Sequence, residues 1–165
     1  MTSEHLLHTI PPIYDGNSKI LILGSFPSVK SREVSFYYGH PQNRFWRVLV
    51  AVLGCAVPSS NEEKTALLQS HNIALWDVIK SCDIVGSSDS SIKNVVPNDI
   101  GAILSSCGIR QIYSNGKTSE KLFNKYIKDT VGRDTVALPS TSPANASYNL
   151  ERLTDSWSVI KNNIR

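Results

Sequence analysis

The chain has 165 residues, enough for one domain over residues 1–165 that buries about 70% of the surface its unfolded form exposes, so neither disulfides nor a structural metal are needed to hold it. A content of 41% hydrophobic and 19% charged residues excludes a disordered or fibrous chain. Seventeen Lys and Arg against fourteen Asp and Glu, a net +3, permit contact with a polyanion but fall short of the basicity of a DNA-coating protein.

Cys55, Cys82 and Cys107 are isolated and odd in number, which argues against zinc, an iron-sulfur cluster or a disulfide framework and for a reducing compartment. The N-terminal stretch MTSEHLLHTIPPIYDGNSK has no basic region leading into a long apolar core, and no apolar run elsewhere is long enough to cross a bilayer. The expectation is a cytoplasmic protein, nuclear in a cell that has a nucleus, with no membrane contact.

In chain order, Ile20 to Leu23 (ILIL) is a short apolar run ending at Gly24, as suits a parallel strand covered on both faces. Arg44 to Leu53 follows as an amphipathic helix with Phe45, Val48, Leu49 and Val52 on one stripe. Pro58-Ser59-Ser60-Asn61 opens a second helix over Asn61 to Gln69, with Ser60 or Asn61 as cap and Glu62 and Glu63 in its first turn. Asn72 to Trp76 is the second strand. Ser81 to Ser91 (SCDIVGSSDSS) reads as the most loop-like stretch of the chain. Pro97-Asn98-Asp99 introduces a helix over Asn98 to Ser106. Arg110 to Ser114 is a strand, Lys117 to Lys128 a helix, Thr135 to Leu138 a strand and Leu150 to Ile160 a closing helix. This alternation predicts an α/β three-layer sandwich around a central, mainly parallel four-stranded sheet.

Ligands bind beyond the carboxyl ends of the strands in such sheets. Three polar loops are expected there. Gly24 to Asn43 is far longer than the ordinary link of about 2–6 residues. Within it, Gly24-Ser25-Phe26-Pro27 turns the chain sharply, and Tyr37-Tyr38 cannot easily both point inward. Asn43 precedes a helix, and capping is the favoured reading of that position; Arg44 is either a solvated charge or a phosphate contact. Asn115-Gly116-Lys117, between a strand and a helix, reads equally as a tight turn or as half of an anion site, without the glycine pattern of a nucleotide-triphosphate loop. Pro139 to Asn149 gathers Ser140, Thr141, Ser142, Asn145 and Ser147, of which capping by Ser147 or Asn145 accounts for one or two. Hydroxyls and amides suit phosphodiester oxygens, aromatic faces suit bases, and the combination fits a base flipped from nucleic acid.

The strings GSFPS, YYGHPQNRFW and LPSTSPANAS, in that order, resemble the motifs of the uracil-DNA glycosylase superfamily, most closely its hypoxanthine-DNA glycosylase branch; NIALWDVIKSC and SSIKNVVPND extend the likeness over most of the chain from Ile20. The resemblance implies a monofunctional glycosylase that hydrolyses the N-glycosidic bond of a deaminated base, hypoxanthine before uracil, using no cofactor and no metal and acting as a monomer on DNA. The superfamily usually carries a polar residue where this chain has Phe26, which moves water positioning to the carboxamide oxygen of Asn43.

By the same resemblance Tyr38 stacks on the flipped base, and the amides near Gly24, Ser25 and Phe26 face its edge. Ser140 and Ser142 grip flanking phosphates, while Thr141 to Asn145 border the vacated stack; Asn115 and His40 are counted with the substrate pocket and Lys117 with the DNA contacts. For His40 a structural role is preferred. Asp77 caps a turn or touches the base, capping being ranked first. Leu138 stands where relatives often have His or Asn, which removes a hydrogen bond to the base. Two readings from other classes are a non-catalytic nucleotide-binding α/β module and a lesion-binding protein that flips bases without cutting.

Overall fold

The computed structural model describes residues 2–165. In chain order it contains strands β1 (Glu4–Leu7) and β2 (Ile20–Gly24), helices α1 (Val29–Val34), α2 (Phe45–Leu53) and α3 (Asn61–Ser70), then strands β3 (Ile73–Asp77), β4 (Ile79–Ile84) and β5 (Lys93–Pro97). The remainder is α4 (Ile100–Ser106), β6 (Gln111–Asn115), α5 (Lys117–Tyr126), α6 (Lys128–Val131), β7 (Thr135–Leu138) and α7 (Leu150–Trp157), which tightens into a 3-10 turn over Ser158–Asn162.

All four expected strands form one parallel sheet in the order β3-β2-β6-β7. Every residue of β2 is buried, and the pleat sends alternate side chains to opposite faces. Ile20 and Ile22 pack with Phe45, Val48 and Leu49 of α2 and Leu153 and Trp157 of α7. Leu21 and Leu23 pack with Ile100 and Ile103 of α4 and Phe123 of α5. Two cores separated by one sheet make the three-layer sandwich, and they hold the carboxyl ends of the strands in a fixed row.

Beside this sheet lies a second one that local sequence did not announce, three antiparallel strands in the order β1-β4-β5. The stretch from Ser81 to Ser91, expected as loop, therefore begins as strand: Ser81–Ile84 complete β4, with Ser81, Cys82 and Ile84 buried. Serine and aspartate favour turns when nothing competes. Here pairing on both sides by β1 and β5 overrides that preference.

Most caps follow the sequence. Ser60 accepts from the Glu63 amide, Glu63 reaches back to Ser59, and Asp99 accepts from the Ala102 amide. The last helix differs, since Asn149 rather than Ser147 or Asn145 accepts from the Arg152 amide. The long loop after β2 contains an unexpected short helix, α1, capped by Ser28. Gly39 folds back against it so closely that a Cβ there would lie 2.6 Å from Val34 Cγ2.

Candidate active site

A cavity of about 570 Å³ opens at the carboxyl ends of the parallel strands, within the size range of ligand clefts. Its wall is built from the loop after β2, the loop after β6, the Pro139–Asn149 loop and the end of β3. The three loops singled out in the sequence thus meet in one place.

Asn43 is the hinge of the site. Its Oδ1 accepts from the Phe45 amide at 2.9 Å and from the Thr141 hydroxyl at 2.9 Å. The amide can only donate, so the atom facing it is the oxygen, and Asn43 both lines the cavity and caps the first turn of α2. Thr141 Oγ1 in turn accepts from Asn115 Nδ2, and the Thr141 amide donates to Asn115 Oδ1, each at 3.0 Å. One hydroxyl therefore ties the ends of three loops together, and its own burial is complete. This corrects the expectation that the Thr141 side chain lies against DNA: it is an internal brace. Asn115 lines the cavity, with one of its two amide hydrogens and one oxygen lone pair engaged by Thr141.

The two adjacent tyrosines divide as their geometry requires. Tyr37 is buried, and its hydroxyl donates to the Pro11 carbonyl at 2.8 Å. Tyr38 adopts a left-handed backbone with φ of 53°, a conformation that costs a non-glycine residue roughly 1–2 kcal/mol. Stacking of its ring on Phe45, with centroids 4.1 Å apart and planes 18° from parallel, offsets that strain and presents the ring to the cavity. Its hydroxyl is buried without a hydrogen-bond partner. Burial, and then the Asp77 carboxylate, push its pKa far above the ordinary phenol value, while Asn115 pulls weakly the other way, so it remains a neutral donor.

Asp77 does not cap a turn. At the end of β3 its Oδ2 accepts from His8 Nε2 at 2.8 Å, with both side chains nearly sealed, and the residue lines the cavity. Among the described residues Oδ1 receives no hydrogen bond. It lies over Gly24, where a Cβ would fall 2.4 Å from Asp77 Oδ1 and 3.2 Å from the Tyr38 hydroxyl. Gly24 is glycine because this carboxylate and this phenol converge above its backbone.

The serine-rich loop is internally braced but leaves protons free. Ser140 Oγ accepts from the Ser142 amide, and Ser142 Oγ accepts from the Ala144 amide, so neither bond consumes the hydroxyl hydrogen. Asn145 is turned inward onto the Ser140 carbonyl. Arg44 is neither a solvated charge nor a phosphate ligand here. Its guanidinium donates to the carbonyls of Tyr148, Ser142 and Asn145, clamping this loop onto α2. Gly116, at φ 92°, passes within 3.0 Å of Ser140 at its Cβ position, which places exposed Lys117 and the open amides of α5 at the rim.

Ser25, Phe26 and His40 also line the cavity. His40 sits exposed at the rim, where its Nδ1 accepts from the Gln42 amide and so shapes the turn. Leu138 is packed in the core and does not line the cavity, which explains why a non-polar residue stands there. Sequence reasoning missed His8 and the wall made by Ser87, Ser88 and Asp89. Asp77 was legible as a carboxylate at the carboxyl end of a parallel strand; His8 carried no such signal, because it follows a four-residue strand too short to show periodicity. Among the described residues no three His, Cys, Asp or Glu side chains converge to hold a metal ion, and no helix is long and apolar enough to cross a membrane.

Fold and cavity define an α/β sandwich with a polar-lined cavity at the carboxyl edge of a parallel sheet. The family model described as the Uracil DNA glycosylase superfamily matches residues 11–162, and the chain belongs to that superfamily. It is 36% identical over 137 residues to a protein named hypoxanthine DNA glycosylase from Methanosarcina barkeri (82% of this chain, 85% of the relative). A protein of the same name from Methanosarcina acetivorans is 34% identical over 152 residues, covering 91% of this chain and 94% of the relative. A solution NMR structure of a candidate uracil DNA glycosylase from Methanosarcina acetivorans superposes with a TM-score of 0.79 at 33% identity, covering 92% of this chain and 94% of that one.

Proposed function

We propose that the protein is a monofunctional DNA glycosylase of base excision repair that hydrolyses the N-glycosidic bond of a flipped deaminated base, hypoxanthine in preference to uracil, and leaves an abasic site. The observation that carries the reading is the convergence of the Asn43 carboxamide, the Tyr38 ring and the free Asp77 Oδ1 on one cavity. The names of the curated relatives support hypoxanthine as the base.

The flipped base stacks on the Tyr38 face opposite Phe45. Its ring N–H donates to Asp77 Oδ1, the acceptor that lies over Gly24 without a donor. Asn43 Oδ1 holds the attacking water. Of its two present donors, the Phe45 amide is fixed and the Thr141 hydroxyl is a rotor, so turning that hydroxyl frees a lone pair for water beside the anomeric carbon. As the bond lengthens the sugar becomes cation-like and the base gains negative charge; placement and electrostatic support, not a strong base, are what the step needs. Ser140 and Ser142 hydroxyls, with Lys117 and the α5 amides, receive the flanking phosphates.

The protein acts as a monomer in this reading, and three free cysteines support a reducing compartment such as the cytoplasm. Single-turnover assays on duplexes carrying hypoxanthine, uracil or xanthine test the proposal. Alkali-labile breaks, fastest at hypoxanthine, are expected; tight binding without breaks would make it a lesion-binding protein instead.

A further inference from the structure

We infer that His8, delivered by the N-terminal strand, is a positioning and specificity residue for the cavity, acting through Asp77. This rests on the base-binding role given above to Asp77 Oδ1. His8 is one of the most deeply sealed polar side chains near the site, 1% exposed, and its Nε2 lies 2.8 Å from Asp77 Oδ2. A carboxylate oxygen only accepts, so Nε2 carries the proton. That bond engages Oδ2 and leaves Oδ1, over Gly24, as the acceptor turned toward the cavity.

The ring is itself fixed on several sides. It meets Phe26 and Trp76 edge-on and Tyr37 at a tilt, with centroids 6.1, 6.4 and 6.2 Å away. Its backbone amide donates to the Lys80 carbonyl at 2.7 Å, and β1 is registered on β4 from Glu4 to Leu7. The small antiparallel sheet thus serves the chemistry: it carries one imidazole to the back of Asp77, a residue of the cavity wall.

The consequence is discrimination between oxo and amino bases. Hypoxanthine offers a ring N–H beside its oxo group, whereas adenine presents a ring lone pair at the same place, which a fixed acceptor repels. Without its donor the carboxylate is free to turn, Oδ1 is no longer fixed over Gly24, and the distinction would blur.

The test combines His8→Leu, which keeps apolar packing, His8→Gln, which keeps an N–H donor, Asp77→Asn and the His8→Leu/Asp77→Asn pair. Single-turnover cleavage of hypoxanthine duplex by His8→Leu should fall roughly 10- to 100-fold, while binding to abasic product duplex holds. His8→Gln should recover most of that loss. In the Asp77→Asn background His8→Leu should cost no more than about twofold, since the two residues act as one unit. Equal losses in both backgrounds, or wild-type cleavage by His8→Leu, would overturn the inference.

If His8→Leu does not fold, His8→Met with the same partner variant replaces it. Independently of turnover, adding free hypoxanthine should shift the His8 Nε2–H proton resonance of the wild-type protein, and adenine should not; an unmoved resonance counts against the inference. A wild-type protein that cuts no damaged duplex but shows the hypoxanthine-specific shift would sink the glycosylase proposal and leave the His8 inference standing. The opposite pattern, cleavage with no shift and no His8 effect, would do the reverse.

Discussion

Replacing Asn43 separates its two duties. Asn43→Ala removes the acceptor for the Phe45 amide at the start of α2 and for the buried Thr141 hydroxyl. Loss of the cap and of one interior hydrogen bond should destabilise the fold by about 1–3 kcal/mol. For a chain of this length that lowers the melting temperature by roughly 2–12 °C. The cleavage rate should drop further than that loss explains, on the order of 10²–10³-fold in single turnover with the enzyme saturating and fully folded. Asn43→Asp keeps Oδ1 and so should restore the melting temperature while retaining more than about a tenth of the rate, because the water-holding atom survives. The assay is excision at a single hypoxanthine at 25 °C, beside thermal melts of all three proteins. Wild-type melting by Asn43→Ala would refute the capping geometry. A rate for Asn43→Asp as low as that of Asn43→Ala would refute the role of the oxygen and shift it to Nδ2.

Gly24→Ala should overpack the cavity floor, since its Cβ would overlap Asp77 Oδ1 at 2.4 Å, so a stability cost of about 1–3 kcal/mol and loss of most hypoxanthine excision are expected by melts and single-turnover cleavage. Arg44→Lys exchanges a planar fork bonded to three carbonyls for a point charge; affinity for abasic-site duplex should weaken several-fold while the charge is unchanged, and equal affinity would dispose of the clamp. Burial raises both Tyr37 and Tyr38 above the unfolded phenol value of 10.0. Above that pH the native state holds more protons than the unfolded one, so stability is intact below pH 10 and falls as pH rises beyond it. A phenolate absorbance titration should therefore show Tyr37 and Tyr38 ionising only on unfolding. DNA affinity should fall with added salt along a shallow log-log slope, as a few neutralised phosphates release few counterions; a flat line would point to a small-molecule pocket.

The sequence by itself determined the parallel sheet and the rim at which the site lies. Runs such as ILIL and IALW are apolar on both pleat faces, which only a doubly covered strand satisfies, and glycine, proline and asparagine at their ends mark where the chain must leave the sheet. Motif likeness then drew Asn43, Tyr38 and the Pro139–Asn149 loop to one function. Only the tertiary structure decided that Thr141 braces the loops from inside, that Arg44 is a clamp, and that His8 reaches Asp77 across 69 positions of chain. Hydrogen-bond partners so distant in sequence leave no periodic trace, and a strand like β4 draws its stability from neighbours rather than from its own Ser81 and Asp83. Local propensity records what a residue prefers alone, whereas the roles at this site depend on what each side chain meets when the two sheets come together.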